Sequence, residues 1–358
     1  MLLLSHGCQS RLLAFATFIV ACGALSLPSQ TPSRPESRNP VKHIPNIGLG
    51  LWNSKDDDAT KAVGYAFSAG YHHLDGAAVY GVPLSDRVTD NEPFVGTALN
   101  ASSSPPRHRY WLTSKLWNTA HRPKFVRPAL EKTLSDLNTT YLDLYLMHWP
   151  VAFRPDTPPE RQVVDQDTSI LDTWRAMEDL VSANLTRYIG VSNFSPRELD
   201  ALLKDAKIKP FAHEFETHPY LQQQEWVDWH HKHDIKVIAY SPLANSNPTY
   251  HDKYPKLDPI LADRFWNELA LDKNITTAQA ILGWGIQRGT VVIPKSVHQK
   301  RILENLASVN VSFTNDELAK IAQQDRRARF NDPGRSWGVE LFEGLDGGSN
   351  RFLLDHEL

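Results

Sequence analysis

Eight short apolar runs punctuate the sequence at intervals long enough to hold a helix: IGLGLW from Ile47, YHHLD from Tyr71, RYWLTS from Arg109, YLDLYLM from Tyr141, RYIGVS from Arg187, PFAHEFE from Pro210, IKVIAYS from Ile235 and TVVIP from Thr290. Amphipathic stretches such as DATKAVGYAFSAG, KFVRPALEKTLSDL and SPRELDALLKDA lie between them. Strands that alternate with helices pair in parallel through crossovers. Eight such units imply an α/β chain closed into a (β/α)8 TIM barrel rather than an open sheet. Ser195 followed by Pro196 marks one helix start, and Thr314 with Glu317 forms a capping box at another. The run from Asp258 to Gln287 exceeds what one crossover needs, so an additional helix is expected beside the barrel. With no internal repeat, residues 41–358 read as a single domain whose Gly- and Asp-rich end, from Phe330 to Leu358, is an extended C-terminal loop.

The residues before the barrel are different in kind. Leu12 to Leu27 is almost unbroken apolar sequence behind Arg11, the length of a secretory leader and too short for a comfortable span. Residues 1–26 are therefore expected to be a signal peptide cleaved after Ser26, with an uncleaved anchor as the alternative, and 27–40 a Pro- and Ser-rich stem. Both cysteines, Cys8 and Cys22, fall in the leader, which leaves no thiolate for a disulfide, a nucleophile or a metal. Asn100, Asn138, Asn184, Asn193, Asn274 and Asn310 head glycosylation sequons. The last residues, Asp355 to Leu358, have the composition of a lumenal retrieval signal with its first two letters exchanged. A formal charge of -3 without a dense Lys/Arg cluster gives no footprint for nucleic acid. No stable membrane span is expected in the mature chain, and the sequence sets no oligomeric state.

Four proton-handling side chains follow these runs: Asp75 and Tyr80 in GYHHLDGAAVY, Lys115 in WLTSKLW and His148 in LDLYLMHWP. Residues just past strand ends are where a parallel barrel assembles its chemistry. Taken singly, Asp75 and Lys115 could be a structural ion pair and His148 a packed core histidine. Together, just past the strand ends of one barrel, they point to an enzyme that hands a proton to a reacting group. Tyr80 is the natural acid; a Lys115 ammonium beside it would lower the phenol's pKa, with Asp75 holding the lysine in place. Neither a GxGxxG turn nor a P-loop occurs. Lys295, Ser296 and Arg301 instead bring two cations and a hydroxyl to the helix start after the last run, which suits the extra phosphate of NADP(H). A solvated helix face is the plain alternative.

The blocks IGLGLWNS, GYHHLDGAAVYG, LTSKLWNTAHRP, LDLYLMHWP, IGVSNFS, ETHPYL, IAYSPLA and VVIPKSVHQKRILEN, in this order, resemble the aldo-keto reductases from about Val41 to about Phe330. The resemblance implies NADP(H)-dependent reduction of a small carbonyl compound to its alcohol. It gives Asp75, Tyr80 and Lys115 as a proton relay and His148 as the group that orients the carbonyl. It places Gly50, Leu51, Trp52, Ser192, Asn193, Glu214, Tyr240, Ser241, Leu243, Lys295, Ser296, Arg301, Glu304 and Asn305 around the cofactor, Tyr240 under the nicotinamide. Trp52, Trp117 and Trp149 would wall the substrate pocket, and no metal is implied.

Three features depart from that pattern. Glu214 stands where the family usually has glutamine, and a carboxylate cannot donate to the carboxamide oxygen unless protonated. GVPLSDRVT lengthens the chain directly after Tyr80, at a rim that governs substrate entry. The leader is unusual for a cytosolic family; retention in the endoplasmic reticulum lumen best joins it to an intracellular reductant, with secretion or a cytoplasmic location as alternatives. Two other functions remain in play: a cofactor-binding sensor with low turnover, and a glycosidase, which would need two carboxylates flanking a cleft.

Overall fold

Each of the eight runs overlaps a strand: β1 (Leu49–Gly50), β2 (His73–Asp75), β3 (Trp111–Leu116), β4 (Leu142–Met147), β5 (Thr186–Ser192), β6 (Ala212–Glu216), β7 (Lys236–Tyr240) and β8 (Val291–Val292). All pair in parallel, each with the next in sequence. The ends of this sheet meet, because the Gly48 amide donates to the Val292 carbonyl at 2.9 Å, Val292 to Asn46 at 2.9 Å and Gly50 to Pro294 at 3.1 Å. Gly50 is needed at that seam, since a Cβ there would lie 2.6 Å from the Ile293 carbonyl oxygen. The closed (β/α)8 barrel is thus the fold. The computed structural model describes residues 43–80, 90–157, 161–247, 250 and 256–345. The expected leader, stem, GVPLSDRVT stretch and final residues lie outside the described residues.

The crossovers carry α1 (Asp56–Ala69), α2 (Glu92–Leu99), α3 (Pro123–Asp136), α4 (Ile170–Ser182), α5 (Pro196–Asp205) and α6 (Gln224–Lys232). Between β7 and β8 come α7 (Arg264–Asp272) and α8 (Thr277–Gln287), so the expected additional helix is present. After β8 follow α9 (Gln299–Leu306), α10 (Asn315–Ala322) and a single turn, α11 (Gly334–Trp337), inside what reads as loop from the sequence. The helices dock by narrow stripes: α1 buries Ala59, Ala62, Val63 and Ala66, the spacing of one helical face. Both expected starts are seen, with Ser195 and Thr314 accepting from the amides of Glu198 and Glu317. Each cap satisfies a backbone donor that the first turn would otherwise leave open.

Every residue of β3, β4 and β6 is buried, as a parallel sheet covered on its outer face and filled inside requires. Alternation then sorts the side chains. On β4, Leu144 and Leu146 join the cluster inside the barrel while Tyr145 and Met147 pack outward against the helices. The same parity puts Trp111, Thr113 and Lys115 of β3, and Ala212, Glu214 and Glu216 of β6, on inward positions. The lower layer is apolar, with Trp111, Ala212 and Ile238 among its members. The upper layer, at the C-terminal ends of the strands, is charged. A barrel that packs its floor with hydrocarbon can hold ions only at this rim.

Candidate active site

Lys115 is the hub of the upper layer. Its ammonium is fully buried and donates to Asp75 Oδ1 at 2.5 Å and to the Gly76 carbonyl at 2.9 Å. Glu214 Oε1 lies 3.3 Å away on the far side. The Tyr80 ring centroid is 4.9 Å from Lys115 Nζ, within hydrogen-bonding reach of its hydroxyl. His148 follows β4 and meets the Tyr80 ring edge-on, centroids 5.8 Å apart. The four residues expected to act together therefore converge at one end of the barrel. Asp75 ends β2, Lys115 is the penultimate residue of β3 and His148 comes directly after β4, so strand register alone sets their spacing.

The charges are steeply perturbed. Burial disfavours the Lys115 cation, yet Asp75, then Glu214 and Tyr80, hold its pKa well above the ordinary lysine value. Burial, followed by the charge of Lys115 and the neighbouring His121, drives His148 well below the usual imidazole range, so the ring is neutral at pH 7. Its Nδ1 is buried without a partner among the described residues. For Tyr80 the outcome differs from expectation. Lys115 does pull the phenol down, but desolvation outweighs it, and Glu214 and Asp75 add to the rise, so its pKa lies above the ordinary value. Tyr80 rests as a phenol that holds its proton firmly.

An aromatic wall stands beside His148. Trp117 meets the imidazole at 5.2 Å between centroids and Trp149 at 6.4 Å. Trp337 of α11 packs against both indoles, 6.3 Å from Trp117 and 5.0 Å from Trp149. Phe342 closes on Trp149 at 6.0 Å. The sequence reading missed Trp337 and Phe342; an aromatic pair in a polar tail was the only signal. Trp52 lies elsewhere: it is 37% exposed and its ring contact is with Tyr250 at 6.1 Å, so it does not join the Trp117–Trp149 wall directly.

The residues expected to face a cofactor form two groups. One adjoins the relay: Asn193 donates from Nδ2 to the His148 carbonyl and to Ser192 Oγ, both at 3.0 Å, while Tyr240 donates to Asn193 Oδ1 at 2.8 Å. Asn193 is buried, so its sequon offers no acceptor for a glycan in the folded chain. Ser241 and half-buried Leu243 continue from β7, with Ser241 at φ +46°. Leu51 is buried at the end of β1, its amide bonded to the Asp75 carbonyl at 2.9 Å. The second group sits on the turn into α9. Gly50 bridges to Lys295, which ties it to the barrel seam. Ser296 Oγ accepts from the His298 amide at 3.1 Å, and Arg301 is exposed on the first turns of α9. Among the described residues Arg301 makes no ion pair, and no side chain caps α9, so its first amides are open to an anion. Glu304 pairs with Lys300 at 3.5 Å and Asn305 is buried. The donors fit a phosphate-bearing cofactor.

Other carboxylates are committed elsewhere. Glu216 accepts from His218 Nε2 at 3.0 Å and from the amides of Phe330 and Asn331 at 2.7 and 2.8 Å, which pins the C-terminal segment to the barrel mouth. With Asp75 held by Lys115, no free carboxylate pair of the kind hydrolysis requires flanks the cleft among the described residues. Asp90, Glu92 and Asp136 lie close enough to share a cation, but Lys132 pairs with Asp90 and Asp136, and Ser114 and Thr133 donate to Glu92. No described helix is long and apolar enough to cross a membrane.

A model of the aldo/keto reductase family matches residues 46–326. An aldo/keto reductase of Synechocystis is 41% identical over 296 residues, 81% of this chain and 88% of that protein. Pig aldo-keto reductase family 1 member A1 is 40% identical over 80% of this chain and 88% of its own length. Among solved structures, aldose reductase from Giardia lamblia superposes with a TM-score of 0.74 at 35% identity, covering 84% of this chain and 99% of that one. The aldose reductase of Schistosoma japonicum gives 0.73 at 34% identity, covering 85% and 98%.

Proposed function

The chain belongs to the aldo/keto reductase family and is an oxidoreductase acting on carbonyl groups; from that premise we propose that it reduces a small aldehyde or ketone using NADPH, with Tyr80 as the proton donor. The observation that carries the proposal is the buried ammonium of Lys115, which faces Asp75 at 2.5 Å and the Tyr80 ring at 4.9 Å beneath a neutral His148. When bound, the nicotinamide supplies the hydride. The residues of this chain manage the oxygen.

His148, neutral, can donate a hydrogen bond from a ring N–H to the carbonyl oxygen without adding charge to the pocket. As negative charge builds on that oxygen, Tyr80 releases its proton to it. The phenolate left behind is stabilised by Lys115, whose own charge Asp75 fixes in place. In a dry pocket such interactions are stronger than in water, and the aromatic wall of Trp117, Trp149 and Trp337 keeps water out. The same wall favours an apolar or aromatic carbonyl compound.

Preference for NADPH over NADH rests on Lys295, Ser296 and Arg301 at the open start of α9. A charge-assisted hydrogen bond is worth about 1.5–3 kcal/mol, so Arg301→Ala should weaken NADPH binding by about tenfold to a hundredfold while leaving NADH binding nearly unchanged. Fluorescence titration with both cofactors tests this; equal losses for the two would remove Arg301 from phosphate recognition. Loss of NADPH absorbance with a panel of aldehydes tests turnover. Binding without that loss would support the sensor instead.

A further inference from the structure

An ammonium has three hydrogens to give. In Lys115 they face Asp75 Oδ1 at 2.5 Å, the Gly76 carbonyl at 2.9 Å and Glu214 Oε1 at 3.3 Å, which leaves Tyr80 competing for a share. Two carboxyl groups therefore crowd one cation in a site with essentially no solvent exposure. Their remaining oxygens, Asp75 Oδ2 and Glu214 Oε2, are both buried without a donor among the described residues, although Glu214 is within hydrogen-bonding reach of Asp75. A proton on Glu214, shared with Asp75, would give one of these carboxyl groups a donor and cancel the surplus negative charge.

We propose that Glu214 is a further positioning residue of the relay: a neutral carboxylic acid whose proton bridges to Asp75, and whose ionisation draws Lys115 away from Tyr80 and makes the phenol a weaker acid. The inference rests on the proposed role of Tyr80 and adds a control over it. Burial and then Asp75 push Glu214 well above the carboxylate range against the pull of Lys115, in keeping with this state. Glu214 is itself among the groups that raise Tyr80. The groups around it are few. Asp75 comes from β2, Tyr80 from the segment after β2 and Lys115 from β3. Glu216, next on the inner face of β6, is engaged by His218 and two backbone amides. The register partners Ser192 on β5 and Ile238 on β7 carry no charge. His73, two residues before Asp75, is held at about 4 by burial and is neutral.

The sign of the pH effect follows. A carboxyl raised on folding contributes stability that is complete below the ordinary glutamate pKa and is lost as pH rises through its folded value. Activity that depends on the neutral form should fall over the same upper window. Glu214→Gln keeps the shape and removes the titration; Glu214→Met carries the same readings should the glutamine variant fail to fold. In the full-length protein, infrared difference spectra near neutral pH should show a protonated-carboxyl band that the variant lacks. As pH rises above neutrality, kcat/KM for NADPH-dependent aldehyde reduction should fall severalfold more in the wild type than in the variant. Absence of the band difference, or superimposable pH profiles, would overturn the proposal. If neither protein reduces any aldehyde, the reductase reading fails, and the infrared comparison alone still decides the state of Glu214.

Discussion

Tyr80→Phe should abolish reduction while leaving the protein folded and NADPH affinity within about twofold of wild type. The substitution keeps the ring that meets His148 at 5.8 Å and lies 4.9 Å from Lys115, and it removes only the hydroxyl. Because the proton is given only as charge develops on the carbonyl oxygen, the loss falls on kcat and kcat/KM together rather than on binding. Removing a positioned acid costs up to about 10⁴ in rate; a loss near 10³ corresponds to about 4 kcal/mol of transition-state stabilisation. Steady-state assays with NADPH and an aldehyde, beside a fluorescence titration of the cofactor, separate the two effects. Turnover within tenfold of wild type would take Tyr80 out of the mechanism.

Lys115→Met should damage both the chemistry and the fold. The side chain fits the space of the lysine stem, but Asp75 is then left buried without its counter-charge, 0% exposed. Breaking a buried pair by removing one partner costs about 3–5 kcal/mol, which chemical denaturation reads as a lower midpoint with an unchanged slope. The rate should fall about 10²–10⁴-fold, because the phenolate loses the charge that stabilises it. A variant as stable as wild type would mean that Asp75 and Glu214 share a proton tightly enough to make the ammonium redundant.

The barrel was legible because a parallel sheet buried on both faces writes itself as continuous apolar runs, and each run ended within two residues of a strand end. The cluster proposed as a relay was legible for the same reason, since Asp75, Lys115 and His148 sit at or one residue from strand ends. What could not be read was which inward side chains meet across the lumen. Glu214 stood out only as a departure from glutamine, yet β2, β3 and β6 bring it to 3.3 Å from Lys115, a proximity set by barrel closure and not by any local pattern. Tyr80 is raised rather than lowered chiefly because burial desolvates its phenol: the sequence shows the cation, while the desolvation exists only in three dimensions. Trp337 and Phe342 escaped notice because a short turn in a polar tail has no periodicity, and their packing on Trp117 and Trp149 depends on Glu216 fixing the preceding backbone.

The proposed function has a direct consequence for atoms: hydride passes from nicotinamide to the carbonyl carbon while the proton reaches its oxygen from the protein. Single-turnover reduction of an aromatic aldehyde with NADPH carrying deuterium at the transferable C4 position, read by mass spectrometry of the alcohol, follows that hydride. The account predicts one carbon-bound deuterium per alcohol formed by the wild type, and labelled alcohol formed about 10³-fold more slowly by Tyr80→Phe. Alcohol without deuterium, or labelled alcohol formed equally well by the variant, would contradict it.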